Sequence, residues 1–281
     1  MRITDEQIDT LKQNGFVIIE NFLTEKERQE TLNGFYKEYA PPYEEYITGD
    51  YEELDLNTAK RVFPWDDSAL NHVCTHPDMI DAAERIMGTR EIRLSEAHLG
   101  MKYYQESPQQ LGTPPGAFHM DYGNNTLGPK LQEDDFMNIL FFYCFDDVDS
   151  GMAPIMMTPN GRPDSEAEPM IVPGGSVCIY TIFTRHAASS FTKSGHRPVA
   201  WVGFSRKDRP WDGARYFSYK TGVSMKAMER FIVEANPRQL ELIGFPPPGD
   251  PRWTKEMITG MAERYKGFNP TPYLQTSMYF K

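Results

Sequence analysis

Residues 173–206 read PGGSVCIYTIFTRHAASSFTKSGHRPVAWVGFSR, and this stretch decides the fold class. It contains two runs of mostly apolar and β-branched residues, 176–184 and 198–205, with a segment rich in Ser, Thr, Lys and Gly between them. Such runs are typical of buried strands, and the polar segment is typical of a turn. The stretch therefore predicts two antiparallel strands joined as a hairpin.

Further strands are predicted on the N-terminal side of this hairpin. Residues 137–145 (MNILFFYCF) form an almost continuous apolar run, as expected of a strand buried on both faces. Residues 93–103 and 15–20 read as two more strands. Proline and glycine separate these runs, for example at 114–116 and 159–161. Several short strands with such connections indicate an all-β sandwich or barrel.

Helices are predicted on both sides of this β region. Thr4 and Thr24 begin T-x-x-Q and T-x-x-E patterns, which resemble capping boxes, and another helix is predicted from Pro77 to Gly88. Residues 225–235, 237–244 and 254–265 read as C-terminal helices. We predict one domain, residues 1–281, with a helical part at 1–90, a β core at about 91–206 and a helical part at 207–281.

Composition limits the classes of partner. The net charge of −11 disfavours binding to nucleic acid or to an anionic membrane, so a small-molecule substrate is expected. The longest apolar stretch, 139–145, is too short to cross a bilayer. The three cysteines, 74, 144 and 178, form no CxxC pair, so we expect reduced thiols and a cytoplasmic protein. The sequence does not predict the oligomeric state.

A metal site is indicated by His119-Met120-Asp121, an H-x-D pattern. In a strand, residues two apart point to the same face, so the imidazole and the carboxylate would aim at one point. A third ligand would complete the arrangement of two histidines and one carboxylate that is associated with non-haem Fe(II) oxygenases. An H-x-D pattern alone is also common near surface loops, and that alternative stays open.

A histidine and an arginine flank the predicted turn. His186 follows the first strand and Arg197 opens the second, so the two would face each other across the hairpin. Arginine binds carboxylates through a planar two-point fork. A dicarboxylate could then bind the metal at one end and Arg197 at the other. His196 is an alternative third ligand, although it lies on the turn side. Taken singly, His186 could cap a strand and Arg197 could be a solvated charge.

These segments resemble the phytanoyl-CoA dioxygenase family of Fe(II)/2-oxoglutarate-dependent oxygenases. The resemblance is carried by GFVIIENFLTEKE at 15–27, HMD at 119–121 and VPGGSVCIYTIFTRHAASSFTKSGHRPVAWVGF at 172–204. It implies a mainly β fold with flanking helices and a double-stranded β-helix (jelly-roll, cupin-like) core. It also implies His119, Asp121 and His186 as catalytic iron ligands, with Arg197 binding the distal carboxylate of 2-oxoglutarate.

The activity implied by the resemblance is hydroxylation of an unactivated C–H bond of a small organic molecule. Fe(II), 2-oxoglutarate and O2 would be used, and succinate and CO2 released. The presence of Asp121 argues against a halogenase, because halide needs the position that the carboxylate occupies. The chain departs from the family at Ala188, where many members have Ser or Thr beside the cosubstrate carboxylate.

Other residues are weaker candidates. Lys102 and His98 share one face of the strand at 93–103, and either could contact the cosubstrate. Tyr122 and Asn124 follow the H-x-D pattern closely, and Tyr104 begins a long loop suited to a lid, so these three are candidate substrate contacts. The alternatives are a half-exposed strand face for the first pair and ordinary turn chemistry for the residues after Asp121.

Two other functions stay open. The chain could be another metal-dependent enzyme of the cupin type, but such chemistry needs no buried guanidinium opposite the metal. It could also be a non-catalytic binding protein on the same fold, although a complete set of metal ligands argues against that. The substrate itself is not predicted, because the loops around a site determine it.

Overall fold

The computed structural model describes residues 2–49, 61–105, 116–121, 136–208 and 225–274. Contacts divide the chain into two compact units. The first consists of Met1–Met120 and Phe136–Lys207, and the second of Asp121–Asp135 and Asp208–Lys281. The single-domain organisation stays a prediction.

Helices account for much of the described part of the first ninety residues, as predicted. Both predicted capping boxes are present: the side chains of Thr4 and Thr24 accept hydrogen bonds from the backbone three residues on, and the Gln7 and Glu27 side chains accept bonds from the threonine backbone. Two orphan N–H groups are thereby satisfied at each helix start. The helices are α1 (Asp5–Asn14), α2 (Glu25–Glu38), α3 (Tyr43–Thr48), α4 (Ser68–Cys74) and α5 (Pro77–Met87).

Two antiparallel sheets form the rest of the first unit. Their strands are β1 (Phe16–Ile19), β2 (Ile92–Tyr103), β3 (Asn138–Cys144), β4 (Met156–Met157), β5 (Glu168–Pro169), β6 (Ser176–Thr181), β7 (His186–Ala187) and β8 (His196–Arg206). One sheet has the order β1-β6-β3-β8-β2 and the other the order β5-β4-β7. All the strands predicted from the sequence are present. The predicted pairing of the last two is wrong, because β6 and β8 lie on opposite sides of β3.

The five-stranded sheet has two faces of different character, since successive residues of a strand point to opposite sides. One face carries Phe141, Tyr143 and Val202, which belong to the apolar core shared with α1, α2, α4 and α5. The other face carries Phe142 and Trp201, which are paired in register across β3 and β8. This second face also carries Tyr180, whose ring lies 5.4 Å from that of His186 in the three-stranded sheet.

The second unit contains α6 (Met225–Glu234), α7 (Pro237–Leu242), α8 (Lys255–Arg264) and α9 (Thr271–Leu274), at the positions predicted for C-terminal helices up to residue 265. Its core combines aromatic rings with aliphatic and methionine side chains. The rings of Trp253 and Tyr273 lie 3.9 Å apart, and those of Phe268 and Tyr273 lie 5.6 Å apart. Aromatic residues bury large apolar areas, so a few of them suffice for a small core.

The structure also describes the state of the three cysteines and the lengths of the helices. Cys74, Cys144 and Cys178 are all free and buried. Across the described ranges, every helix is too short or too polar to cross a bilayer. The architecture is thus mainly antiparallel β with flanking helices, as the sequence predicted.

Candidate metal centre

The structure brings together the three predicted metal ligands. One ligand atom from each of His119, Asp121 and His186 lies within 4.8 Å of the others. The two histidines are directly opposite each other in an antiparallel bridge: His119 N–H donates to His186 O at 3.0 Å, and His186 N–H donates to His119 O at 2.9 Å. Asp121 follows His119 by two residues, so one short segment supplies two of the three ligands.

A backbone carbonyl lies beside the Nδ1 atom of each of the two imidazoles. Nδ1 of His119 lies 3.0 Å from the carbonyl of Ala117, and Nδ1 of His186 lies 3.0 Å from the carbonyl of Thr184. A carbonyl only accepts hydrogen bonds, so in the neutral form of each ring Nδ1 carries the proton and Nε2 is the nitrogen that can bind a metal. Metal-ligating histidines usually donate their other N–H in this way. With a carboxylate beside them, the donor set fits a divalent first-row metal with open positions.

The two histidines come together differently from the sequence prediction. The apolar run at 176–184 is not one strand: β6 ends at Thr181, and the chain turns there before entering the other sheet. Thr184 N–H donates to the Thr181 carbonyl at 3.0 Å, and the Thr184 hydroxyl accepts from Thr181 N–H at 3.2 Å. His186 then pairs with Met157 of β4, not with Arg197. The apolar composition of the run conceals this turn.

Arg197 lies on the sheet face that carries Trp201, and it is 4 % exposed. Its NH1 group donates to the carbonyl of Ala153, its guanidinium carbon lies 5.8 Å from the centre of the Phe142 ring, and its Nε has no hydrogen-bond partner. Burial lowers the pKa of this guanidinium. In the described part of the chain, no carboxylate forms an ion pair with it. A buried, incompletely paired cation of this kind suits an anionic ligand.

A second cation lies beside Arg197. Lys102 of β2 is its partner in the antiparallel register with β8. Burial, and then repulsion by Arg197, lower the pKa of Lys102 to about 8. The structure therefore pairs the predicted cosubstrate residues Arg197 and Lys102. Two neighbouring positive charges disfavour each other unless an anion binds between them.

His98, the other predicted cosubstrate residue, has a different neighbour. Its ring stacks on Trp201 with centroids 4.9 Å apart and planes 12° apart. Trp201 can approach because Gly100 lacks a side chain: a Cβ there would lie 2.3 Å from the Trp201 ring. His98 shares a face with Lys102, as predicted from their spacing. Its ring is engaged by Trp201, and its Nδ1 lies 3.7 Å from a carboxylate oxygen of Glu96.

Of the three predicted substrate contacts, Tyr104 is the one that lies among the described residues. Tyr104 follows β2 directly, is half-buried, and donates its backbone N–H to the carbonyl of Gly195 at 2.9 Å. Tyr122 and Asn124 lie outside the described residues. The rival ligand His196 is held elsewhere, because its Nε2 lies 2.8 Å from the Tyr36 hydroxyl.

Sequence reasoning missed two neighbours of the ligand segments. The ring of Tyr180 lies 5.4 Å from that of His186 in an edge-on arrangement, and Tyr180 is 1 % exposed. Arg185 pairs with Asp164 at 2.6 Å and places NH2 3.5 Å from the carbonyl of Phe118. The alternation of strand residues could have indicated the face of Tyr180. No sequence signal links Arg185 to Asp164.

A second group with metal-ligand composition contains Glu27, His72 and His76, again within 4.8 Å. Its hydrogen bonds do not suit a metal. Nδ1 of His76 accepts the Asp78 N–H at 3.1 Å, so the neutral ring carries its proton on Nε2, which lies 3.5 Å from Glu27. Arg2 is bonded to Glu27 at 2.7 Å and holds the pKa of that carboxyl well below its usual range. This group stabilises helix ends and leaves His76 no lone pair for a metal.

Comparisons with solved structures identify the fold. The chain is similar to SnoN, a non-heme α-ketoglutarate-dependent epimerase from nogalamycin biosynthesis, at 15% identity and a TM-score of 0.56, over 88% of this chain and 95% of that one. It is also similar to HygX from Streptomyces hygroscopicus, with nickel and 2-oxoglutarate bound, at 11% identity and a TM-score of 0.52, over 73% and 88%. A third relative is the non-heme monooxygenase ThoJ in its nickel complex, at 15% identity and a TM-score of 0.53, over 71% and 77%.

No protein-family model and no curated protein sequence matches the chain. At these identities the structural likeness establishes the fold and leaves the reaction to be argued from the site. The chain thus has the jelly-roll core predicted from its sequence, the core shared by non-heme 2-oxoglutarate-dependent enzymes.

Proposed function

We propose that the chain is an Fe(II)- and 2-oxoglutarate-dependent dioxygenase, similar to phytanoyl-CoA dioxygenase, that hydroxylates an unactivated C–H bond of a small organic molecule. The observation that carries the proposal is the group formed by His119, Asp121 and His186, in which the Nδ1 of each imidazole lies beside a backbone carbonyl. All 281 residues would act as one domain. The three buried thiols suit the reducing cytoplasm.

The cosubstrate site is proposed beside Arg197 and Lys102. One short segment connects it to the metal group, because Ala153 accepts a hydrogen bond from Arg197 and Met157 pairs with His186. Four residues of chain span at most about 14 Å. We propose that a short diacid bridges the metal ligands and the two cations. The distal carboxylate would pair with the guanidinium, and Nε of Arg197 would gain a partner.

In this proposal the chain supplies orientation and shielding. Bound ferrous iron and 2-oxoglutarate would supply the activation of O2 and the oxidation of the C–H bond. The carbonyls of Ala117 and Thr184 keep each imidazole proton on Nδ1. Arg197 and Lys102 orient the diacid, and the Phe142 ring beneath the guanidinium excludes water from it. Such pre-arranged groups reduce the reorganisation needed during reaction.

The proposal is tested by binding and by turnover. We expect one Ni²⁺ per chain by calorimetry, 2-oxoglutarate binding that depends on the metal, and succinate formation with Fe(II), ascorbate and O2. His186→Gln should abolish all three, while His72→Gln, in the second histidine group, should retain them. Metal binding without 2-oxoglutarate binding would instead indicate another metal-dependent enzyme of the cupin type. Absence of both would indicate a non-catalytic binding protein.

The reaction outcome needs a separate experiment. Small molecules that accelerate succinate release would be collected, and their products analysed by mass spectrometry. Hydroxylation predicts a product with one added oxygen atom. A product of unchanged mass, as an epimerase would give, would refute hydroxylation while leaving the dependence on iron and 2-oxoglutarate intact.

A further inference from the structure

We infer that Thr184 is a positioning residue for the His186 imidazole, and this inference rests on the proposed function. Thr184 is 1 % exposed. Its carbonyl lies 3.0 Å from Nδ1 of His186, so it holds the ring at the nitrogen that is not proposed to bind the metal. The direction of that carbonyl determines the direction in which Nε2 points, because the two ring nitrogens are rigidly connected.

The hydroxyl of Thr184 holds the residue in place. It donates to the carbonyl of Gly15 at 2.6 Å and accepts the backbone N–H of Thr181 at 3.2 Å. Both contacts are buried and both are to backbone atoms, so the side chain connects the turn after β6 to the junction between α1 and β1. A buried polar group with its donor and its acceptor capacity both used is held rigidly.

The junction that receives this bond is itself fixed. Gly15 has a left-handed φ of 82°, and a Cβ there would lie 2.6 Å from the side-chain oxygen of Asn160. Its carbonyl also accepts the N–H of Thr181 at 3.3 Å, and the carbonyl of Asn14 accepts the N–H of Asn160 at 2.9 Å. The junction between α1 and β1 therefore contacts both the turn that precedes His186 and the segment that follows β4, the partner strand of His186.

The experiment compares Thr184→Val with Thr184→Ser. Valine keeps the shape and removes the hydroxyl, whereas serine keeps the hydroxyl. Loss of a group that orients a metal ligand typically weakens metal binding by about 10–100-fold. Because Thr184→Val keeps the carbonyl and removes only the hydroxyl that holds it, we expect a loss at the lower end of that range, about 10-fold in Ni²⁺ affinity by calorimetry. Thr184→Ser should bind Ni²⁺ with close to the wild-type affinity, since the hydroxyl that holds the Thr184 carbonyl is retained.

Thr31→Val is the matched control. Thr31 is also a fully buried threonine, and its hydroxyl donates to the Glu27 carbonyl at 2.7 Å, inside α2. It should lose stability without losing Ni²⁺ affinity. The absorption spectrum of bound Co²⁺, which reports ligand geometry, should change only for Thr184→Val. All variants are measured at a temperature where circular dichroism shows them folded.

The outcomes separate this inference from the proposed function. If Thr184→Val folds and binds Ni²⁺ with wild-type affinity and an unchanged Co²⁺ spectrum, Thr184 does not position His186, and the proposed function stands. If Thr184→Val does not fold, Thr184→Ala, which also lacks the hydroxyl, takes its place: a loss of Ni²⁺ affinity with a changed Co²⁺ spectrum supports the inference, and wild-type affinity with an unchanged spectrum overturns it. If the wild-type chain binds no metal, the proposed function fails first.

Discussion

Replacing Arg197 by methionine should reduce cosubstrate affinity with little change in fold stability. The guanidinium is 4 % exposed, bonds to the Ala153 carbonyl and leaves Nε without a partner. A guanidinium–carboxylate fork supplies two charge-assisted hydrogen bonds, each worth about 1.5–3 kcal/mol. The lower values together give ~3 kcal/mol, or about 150-fold in the dissociation constant of 2-oxoglutarate.

The effect on folding combines two opposing contributions. Removing a buried charge in favour of an apolar side chain is neutral or stabilising by about 1–4 kcal/mol. The carbonyl of Ala153 then loses its donor, which costs about 1–3 kcal/mol. The free energy of unfolding in urea should therefore change by no more than about 3 kcal/mol, in either direction.

The assay is calorimetric titration of the Ni²⁺-loaded protein with 2-oxoglutarate, beside urea unfolding of the metal-free protein. A change in the dissociation constant of less than about 5-fold would contradict the assigned role, since it is far below the loss of a fork. A loss of stability above about 4 kcal/mol would show instead that Arg197 holds the fold together.

Three further predictions concern the neighbouring residues. The wild-type affinity for 2-oxoglutarate should fall as the pH rises through about 8, because Lys102 then loses its proton and its positive charge. The Lys102→Met variant should bind 2-oxoglutarate more weakly than the wild type and show no such fall between neutral pH and a pH of about 9. Calorimetry should find one Ni²⁺ per chain in His72→Gln and none in His119→Ala. A second Ni²⁺ bound to the wild type would show that the group containing His72 also binds metal. Gly100→Ala should displace the Trp201 ring, cost about 1–3 kcal/mol of stability in urea, and quench or shift tryptophan fluorescence, whereas an unchanged midpoint would show that the ring moves freely.

The elements of the fold could be predicted because their signals are local. The capping box at Thr24 needs four consecutive residues, and the buried strand at 137–145 is visible as a single apolar run. The H-x-D spacing likewise places His119 and Asp121 on one short segment, independently of the remainder of the chain. Each of these predictions uses residues close in sequence.

The pairing around His186 could not be predicted in the same way. The turn after Thr181 lies inside an apolar run, where periodicity gives no boundary. Met157, the true partner of His186, lies about thirty residues earlier, and β4 is two residues long, too short for a strand signal. Long-range pairing of such short strands depends on the packing of the whole sheet rather than on local preference.

The segment from Ala153 to Met157 has a consequence for ligand binding. One of its ends bonds to the buried arginine and the other pairs with His186, the proposed metal ligand, so a displacement of this short span would alter both proposed binding equilibria together. Thermodynamic linkage makes such an effect reciprocal: whatever factor the diacid contributes to ion affinity, the ion contributes to diacid affinity. Occupancy would then become cooperative, with half-loaded protein scarce at intermediate concentrations.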